Sequence, residues 1–77
     1  MKIEVLGTGC AKCKALYENV KKALEESGTN AEVAKVEDIP SIVKYGVMST
    51  PALVIDGQLK MSGKLASVAE IMGLLGQ

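Results

Sequence analysis

A chain of 77 residues suits a single domain, 1–77, since domains run to roughly 100–200 residues. Hydrophobic residues make up 48% of it and charged residues 23%, which excludes a disordered polyelectrolyte. Nine lysines balance nine acids, and histidine is absent, so there is no basic footprint for nucleic acid, no Ser/His/Asp or Cys/His catalysis and no imidazole metal site.

The apolar runs, Pro51 to Ile55 among the longest, are too short to cross a bilayer. The opening Met1-Lys2-Ile3-Glu4-Val5-Leu6 carries an acid and soon turns into glycines, unlike a signal peptide. No membrane association is expected, and the cytoplasm is the expected compartment. The two tyrosines are the only aromatics, which leaves base stacking poorly supplied.

Lys2 to Leu6 reads as a strand closed by Gly7-Thr8-Gly9. From Ala11 to Ser27 the pattern is helical. Cys13, Leu16, Tyr17, Val20 and Leu24 share one face, opposite-charge pairs such as Lys14–Glu18 occupy the other, and Gly28 stops the helix. Ala31 to Glu37 is a second strand. Asp38 caps a short helix with Pro40 in its first turn and Gly46 past its end. Pro51 to Ile55 suits a strand buried on both faces, and Asp56-Gly57 turns it into a partner strand from Gln58 to Met61. Ser67-Val68-Ala69-Glu70 is a capping box opening a last helix, with Val68, Ile71, Met72 and Leu75 on one stripe.

The order β-α-β-α-β-β-α specifies an α/β fold. A crossover makes the first two strands parallel, and the hairpin adds an antiparallel pair. The expectation is a mixed four-stranded sheet, its first and third strands central, with helices on both faces.

Cys10 and Cys13 stand at a strand-to-helix junction. Unpaired N–H groups and the positive end of the helix favour a thiolate there, and Lys12 and Lys14 add charge of the same sense. Cys13 belongs to the inward stripe, whereas Cys10 precedes it. Cys10 is therefore the expected nucleophile and Cys13 the resolving thiol of a disulfide exchange. Two other readings stand beside this one. The cysteines could hold a two-coordinate soft metal such as Cu(I), although a closed zinc site would need four ligands. Otherwise they are inert core residues.

With Cys10-Ala11-Lys12-Cys13 after the first strand, Ser49-Thr50-Pro51 before the apolar strand, the Asp56-Gly57 hairpin and Gly63 before the last helix, the chain resembles the thioredoxin superfamily. The likeness is to its small thioredoxin-like and glutaredoxin-like redox-active disulfide proteins, and it covers nearly the whole chain. The resemblance implies a thioredoxin-like fold and thiol-disulfide oxidoreductase activity through a Cys10–Cys13 disulfide, with no added cofactor and no metal. It implies a cis Pro51 facing the sulfurs and a Thr50 backbone that pairs with substrate, and Lys12 is counted with them. Expected partners are a disulfide-bearing protein or small thiol and an upstream disulfide reductase. A monomer is expected.

Glu4, six residues before Cys10, matches the position of a buried thioredoxin carboxylate. It is either a proton acceptor for Cys13 or a partly exposed strand residue. The motif departs from the family around the cysteines. Gly9, Ala11 and Lys12 replace Trp and Gly-Pro, and the Pro-Tyr of many glutaredoxins is also absent. Only Lys12, Lys44 and Lys64 offer charge for glutathione carboxylates. Gly7-Thr8-Gly9 lacks the third glycine of a phosphate loop and serves to turn the chain. Tyr17, Met61 and Met72 read as core, Tyr45 as packing at the end of the second helix, and Met48 as a packing or loop residue.

The alternatives are a soft-metal chaperone, or a thioredoxin-like binding module without turnover. Such metal carriers end in a strand and carry a Met close before the first cysteine. This chain reads as ending in a helix and has Thr8 and Gly9 there.

Overall fold

The computed structural model describes residues 1–9 and 11–76; Cys10 and Gln77 lie outside the described residues. The elements are β1 (Lys2–Leu6), α1 (Ala11–Ser27), β2 (Glu32–Val36), α2 (Ile39–Lys44), β3 (Ala52–Ile55), β4 (Gln58–Ser62) and α3 (Val68–Leu75). The order is the expected one. Three strands shift by a residue: β4 runs on to Ser62, and β2 and β3 shorten for identifiable reasons. β2 is trimmed to Glu32–Val36 because its partner β1 offers only Lys2 to Leu6 to pair with. β3 starts at Ala52 rather than Pro51, since proline has no N–H to give a ladder.

The sheet runs β2-β1-β3-β4. β1 and β2 are parallel, while β1–β3 and β3–β4 are antiparallel. β1 and β3 are therefore central, as expected, and β3 is buried at all four positions.

Strand alternation splits the core in two. Ile3 and Val5 of β1, with Leu53 and Ile55 of β3, pack against Leu16, Val20 and Ala23 of α1 and Ile71 and Leu75 of α3. Leu6, Ala52 and Val54 face the other way, against Ile42 of α2 and Val47. The helices thus cover both faces, two on one side and one on the other.

Local chemistry closes each helix. At the end of α1, Gly28 takes φ +68°, its N–H reaches Glu25 O, and Thr29 N–H reaches Leu24 O, a Schellman arrangement. Asp38 accepts from Ser41 N–H at 3.1 Å to cap α2, and hydrogen bonds from Ser41 hold its carboxyl below the ordinary range. Ser67 and Glu70 form the reciprocal capping box of α3, and Lys64 pairs with Glu70. That lysine first, then the Ser67 N–H, holds the Glu70 carboxyl low. The hairpin turn has positive φ at both Asp56 and Gly57, as a type I′ turn requires. Among the described residues no helix is long and apolar enough to cross a membrane.

Candidate active site

The site forms where β1 ends, α1 begins and the chain enters β3. Cys13 lies in the first turn of α1 and is only 6% exposed. The residue pattern explains its burial, because it opens the stripe continued by Leu16, Val20 and Ala23. That first turn contains no acid, and Lys12 and Lys14 flank Cys13 on the exposed side. In the structure Cys13 is disulfide-bonded. Cys10, the expected nucleophile, lies outside the described residues.

Gly7 sits beneath Cys13. It is buried at the end of β1, its N–H donating to Val36 O at 2.9 Å. A Cβ on Gly7 would overlap Cys13 Sγ, and would stand 3.1 Å from Cys13 Cβ and 3.8 Å from Thr50 Cβ. Gly7 is therefore empty space that the sulfur fills. Gly7, Thr8 and Gly9 bend the chain as expected, with Gly9 at φ +87°, and Gly7 has this second role beside the sulfur.

The same construction brings Thr50 to the site. Thr50 is exposed, Pro51 is buried, and the peptide bond between them is cis. Gly63 secures this segment, donating its N–H to Ser49 O at 3.1 Å and Pro51 O at 2.9 Å. Its φ is +69°, and a Cβ there would lie 2.9 Å from Ser49 Cβ. Met48, just before, is 98% exposed, which makes it a loop residue rather than a packing one.

Glu4 is not brought to Cys13. Alternation along β1 puts Glu4 on the face of Leu6 and α2, opposite Val5 and Gly7. Its Oε1 accepts from Tyr45 O–H at 2.8 Å, and Glu4 is only partly buried. The hydrogen bond to Glu4, then burial, raises the Tyr45 hydroxyl above its ordinary range. The expectation of Glu4 as the proton acceptor of Cys13 therefore gives way to the partly exposed strand residue. Glu4 and Tyr45 line a separate groove with Lys35, Val36, Asp38, Ser41 and Lys44.

A small pocket does reach Cys13, lined by Val5, Gly7, Gly9, Lys14, Lys35 and Glu37. Lys35 and Glu37 were not singled out in the sequence. The signal was the parallel register: Lys35 pairs with Val5, so it faces α1, and Glu37 follows two residues later. Lys35 Nζ lies 4.4 Å from the Tyr17 ring centroid, which makes half-buried Tyr17 a platform as well as a packing residue. The three lysines considered for a glutathione site are dispersed over the first turn of α1, the end of α2 and the segment before α3, where Glu70 engages Lys64. Among the described residues, no three of His, Cys, Asp and Glu converge as metal ligands.

Comparison with known proteins points the same way. A family profile described as "Thioredoxin domain" matches residues 1–76. A protein named thioredoxin from Methanothermobacter thermautotrophicus is 41% identical over 75 residues, covering 97% of each chain. Another thioredoxin, from Methanocaldococcus jannaschii, is 48% identical over 69 residues, covering 90% of this chain and 79% of its own.

Proposed function

This chain belongs to the thioredoxin family, with the thiol-disulfide redox function of that family, and on that premise we propose that it reduces disulfides of proteins or small thiols through Cys10 and Cys13. Cys10 attacks the substrate disulfide and forms a mixed disulfide. Cys13 then attacks Cys10, releases the reduced substrate and leaves a Cys10–Cys13 disulfide. The dithiol itself carries the two electrons, so no further cofactor enters. An upstream disulfide reductase restores it, in a reducing compartment such as the cytoplasm. The protein acts as a monomer.

One observation carries this reading. Cys13 is buried in the first turn of α1, seated on Gly7 and beside Thr50. That placement suits an inner, resolving sulfur. Thr50 and Pro51 form the wall along which a substrate main chain would lie, and Lys12 is exposed at the rim.

The test is trapping. Cys13→Ser should accumulate a mixed disulfide on Cys10, and Cys10→Ser should abolish reduction. Trapping by the Cys10 variant instead would reverse the roles. The wild-type couple should lie between roughly −270 and −180 mV, where thioredoxins, glutaredoxins and disulfide isomerases fall.

A further inference from the structure

The pocket behind Cys13 contains a carboxylate that the exchange scheme leaves unused. Glu37 lines it together with Cys13, and Glu37 Oε2 lies 3.3 Å from where a Cβ on Gly9 would stand. Gly9 directly precedes Cys10 in the chain. The carboxylate thus lies across the loop that leads into Cys10 and opens onto the space around Cys13. We propose that Glu37 accepts the proton of the Cys13 thiol as Cys13 attacks the mixed disulfide. The proposal rests on the Cys10–Cys13 exchange reading and assigns its resolving step.

The chemistry requires such a group. Only the thiolate attacks a disulfide, and burial disfavours the charged form. Cys13 is nearly fully buried, so its proton needs a nearby acceptor. The charged groups around it are few. Lys14 faces the pocket from α1, and Lys35 and Glu37 from the β2 edge; β1 offers only Val5 and Gly7, and the segment before β3 brings uncharged Thr50. Glu4 is on the other face of the sheet, engaged by Tyr45. Glu37 is therefore the pocket's one carboxylate among the described residues. The pocket volume of about 40 Å³ leaves room for a bridging water, which needs roughly 10–15 Å³.

The step balances. The proton on Cys13 sulfur passes to the Glu37 carboxylate. The freed electron pair forms the bond to Cys10 sulfur, and the bond between Cys10 and the substrate sulfur breaks. The substrate leaves as a thiolate and takes up a proton from Glu37 or from solvent. The dithiol is oxidised by two electrons and the substrate disulfide reduced by two. On re-reduction Cys13 sulfur regains a proton from solvent, or from Glu37 where the carboxylate has kept it.

Reduced protein mixed with 5,5′-dithiobis(2-nitrobenzoate) in a stopped-flow instrument should release the coloured thiol in two phases. The first reports attack by Cys10 and the second resolution by Cys13. Glu37→Gln should leave the first phase unchanged and slow the second about a hundredfold at pH 7, the low end of what a positioned base contributes. The second phase should recover towards the wild-type rate as rising pH ionises Cys13 unaided. Glu4→Gln should leave both phases unchanged.

A second phase unchanged in Glu37→Gln would overturn the proposal. A faster one would also overturn it, marking Glu37 as a like charge that only disfavours the thiolate. Slowing by Glu4→Gln but not by Glu37→Gln would return the role to Glu4. Absence of a second phase in the wild type would overturn the exchange reading itself, and this proposal with it. Because Glu37 is exposed, the variant should fold, and an unchanged urea midpoint would confirm that.

Discussion

The two faces of β1 receive opposite treatment from one short strand. Towards α1 and α3 it presents Ile3, Val5 and then Gly7, which has no side chain and admits a sulfur. Towards α2 it presents Glu4 and Leu6, the first tied to Tyr45 and the second buried. Closeness in sequence to the cysteines therefore does not decide which residues serve them. Face does, and face is set by counting from Cys13 back across the sheet. The larger cluster lies on the side that holds the chemistry, and the α2 side is thinner, its helix leaving Ile39 and Val43 exposed.

Removing core volume on each side should separate the faces most strongly. Leu16→Ala, in the middle of the α1 cluster, should cost near the top of the range of about 2–5 kcal/mol for such truncations. Ile42→Ala should fall near the bottom, because a six-residue helix with exposed flanks collapses onto the gap more easily. Urea unfolding of the two variants measures this. Equal losses would mean that the α2 face is as tightly built as the other.

The next test addresses the missing side chain. Gly7→Ala places a methyl where Cys13 Sγ stands, and a sulfur held in a disulfide has little freedom to yield. Overpacking of this kind costs about 1–3 kcal/mol. Disulfide exchange should fall with it, because Cys13 is displaced from its seat on Gly7. A variant with unchanged stability and exchange would show that the close approach of Gly7 and sulfur is incidental.

Much of this architecture could be read in the sequence, because each element carries its own local chemistry. The α1 stripe, the Asp38 and Ser67 caps, Gly28 and Asp56-Gly57 act over a few residues, and the connection rules then leave few sheets to consider. The site was legible only in part. Burial of Cys13 followed from helical spacing, and the Thr50–Pro51 segment from family likeness. Glu37 and Lys35 could not be found that way, since their approach to Cys13 depends on the register of β2 against β1. For Glu4 two readings stood open, because its distance along the chain matched a family carboxylate, and alternation along β1 decides between them by sending it to the far face.

A smaller effect is expected at Gly63, which clamps the Thr50–Pro51 segment from β4. Gly63→Ala must adopt a left-handed φ, at about 1–2 kcal/mol, and its Cβ presses on Ser49. Displacing that segment should raise KM for a protein disulfide more than it lowers the rate of small-thiol exchange, if Thr50 is where a substrate main chain lies. Equal effects on both substrates would confine Gly63 to stability.

The smallest effect, and the one that isolates the α2 face, belongs to Tyr45. Its hydroxyl is raised chiefly by the bond to Glu4, so the folded state holds that proton more tightly than the unfolded chain does. The resulting stability is fully present below the ordinary tyrosine value near 10. It is lost as pH rises through the higher folded value, because the unfolded chain ionises first. Tyr45→Phe should remove that alkaline decline while leaving both phases of thiol release untouched at neutral pH. If the variant instead altered the second phase, the two faces of β1 would be coupled through the Glu4–Tyr45 pair. The division of labour between them would then fail.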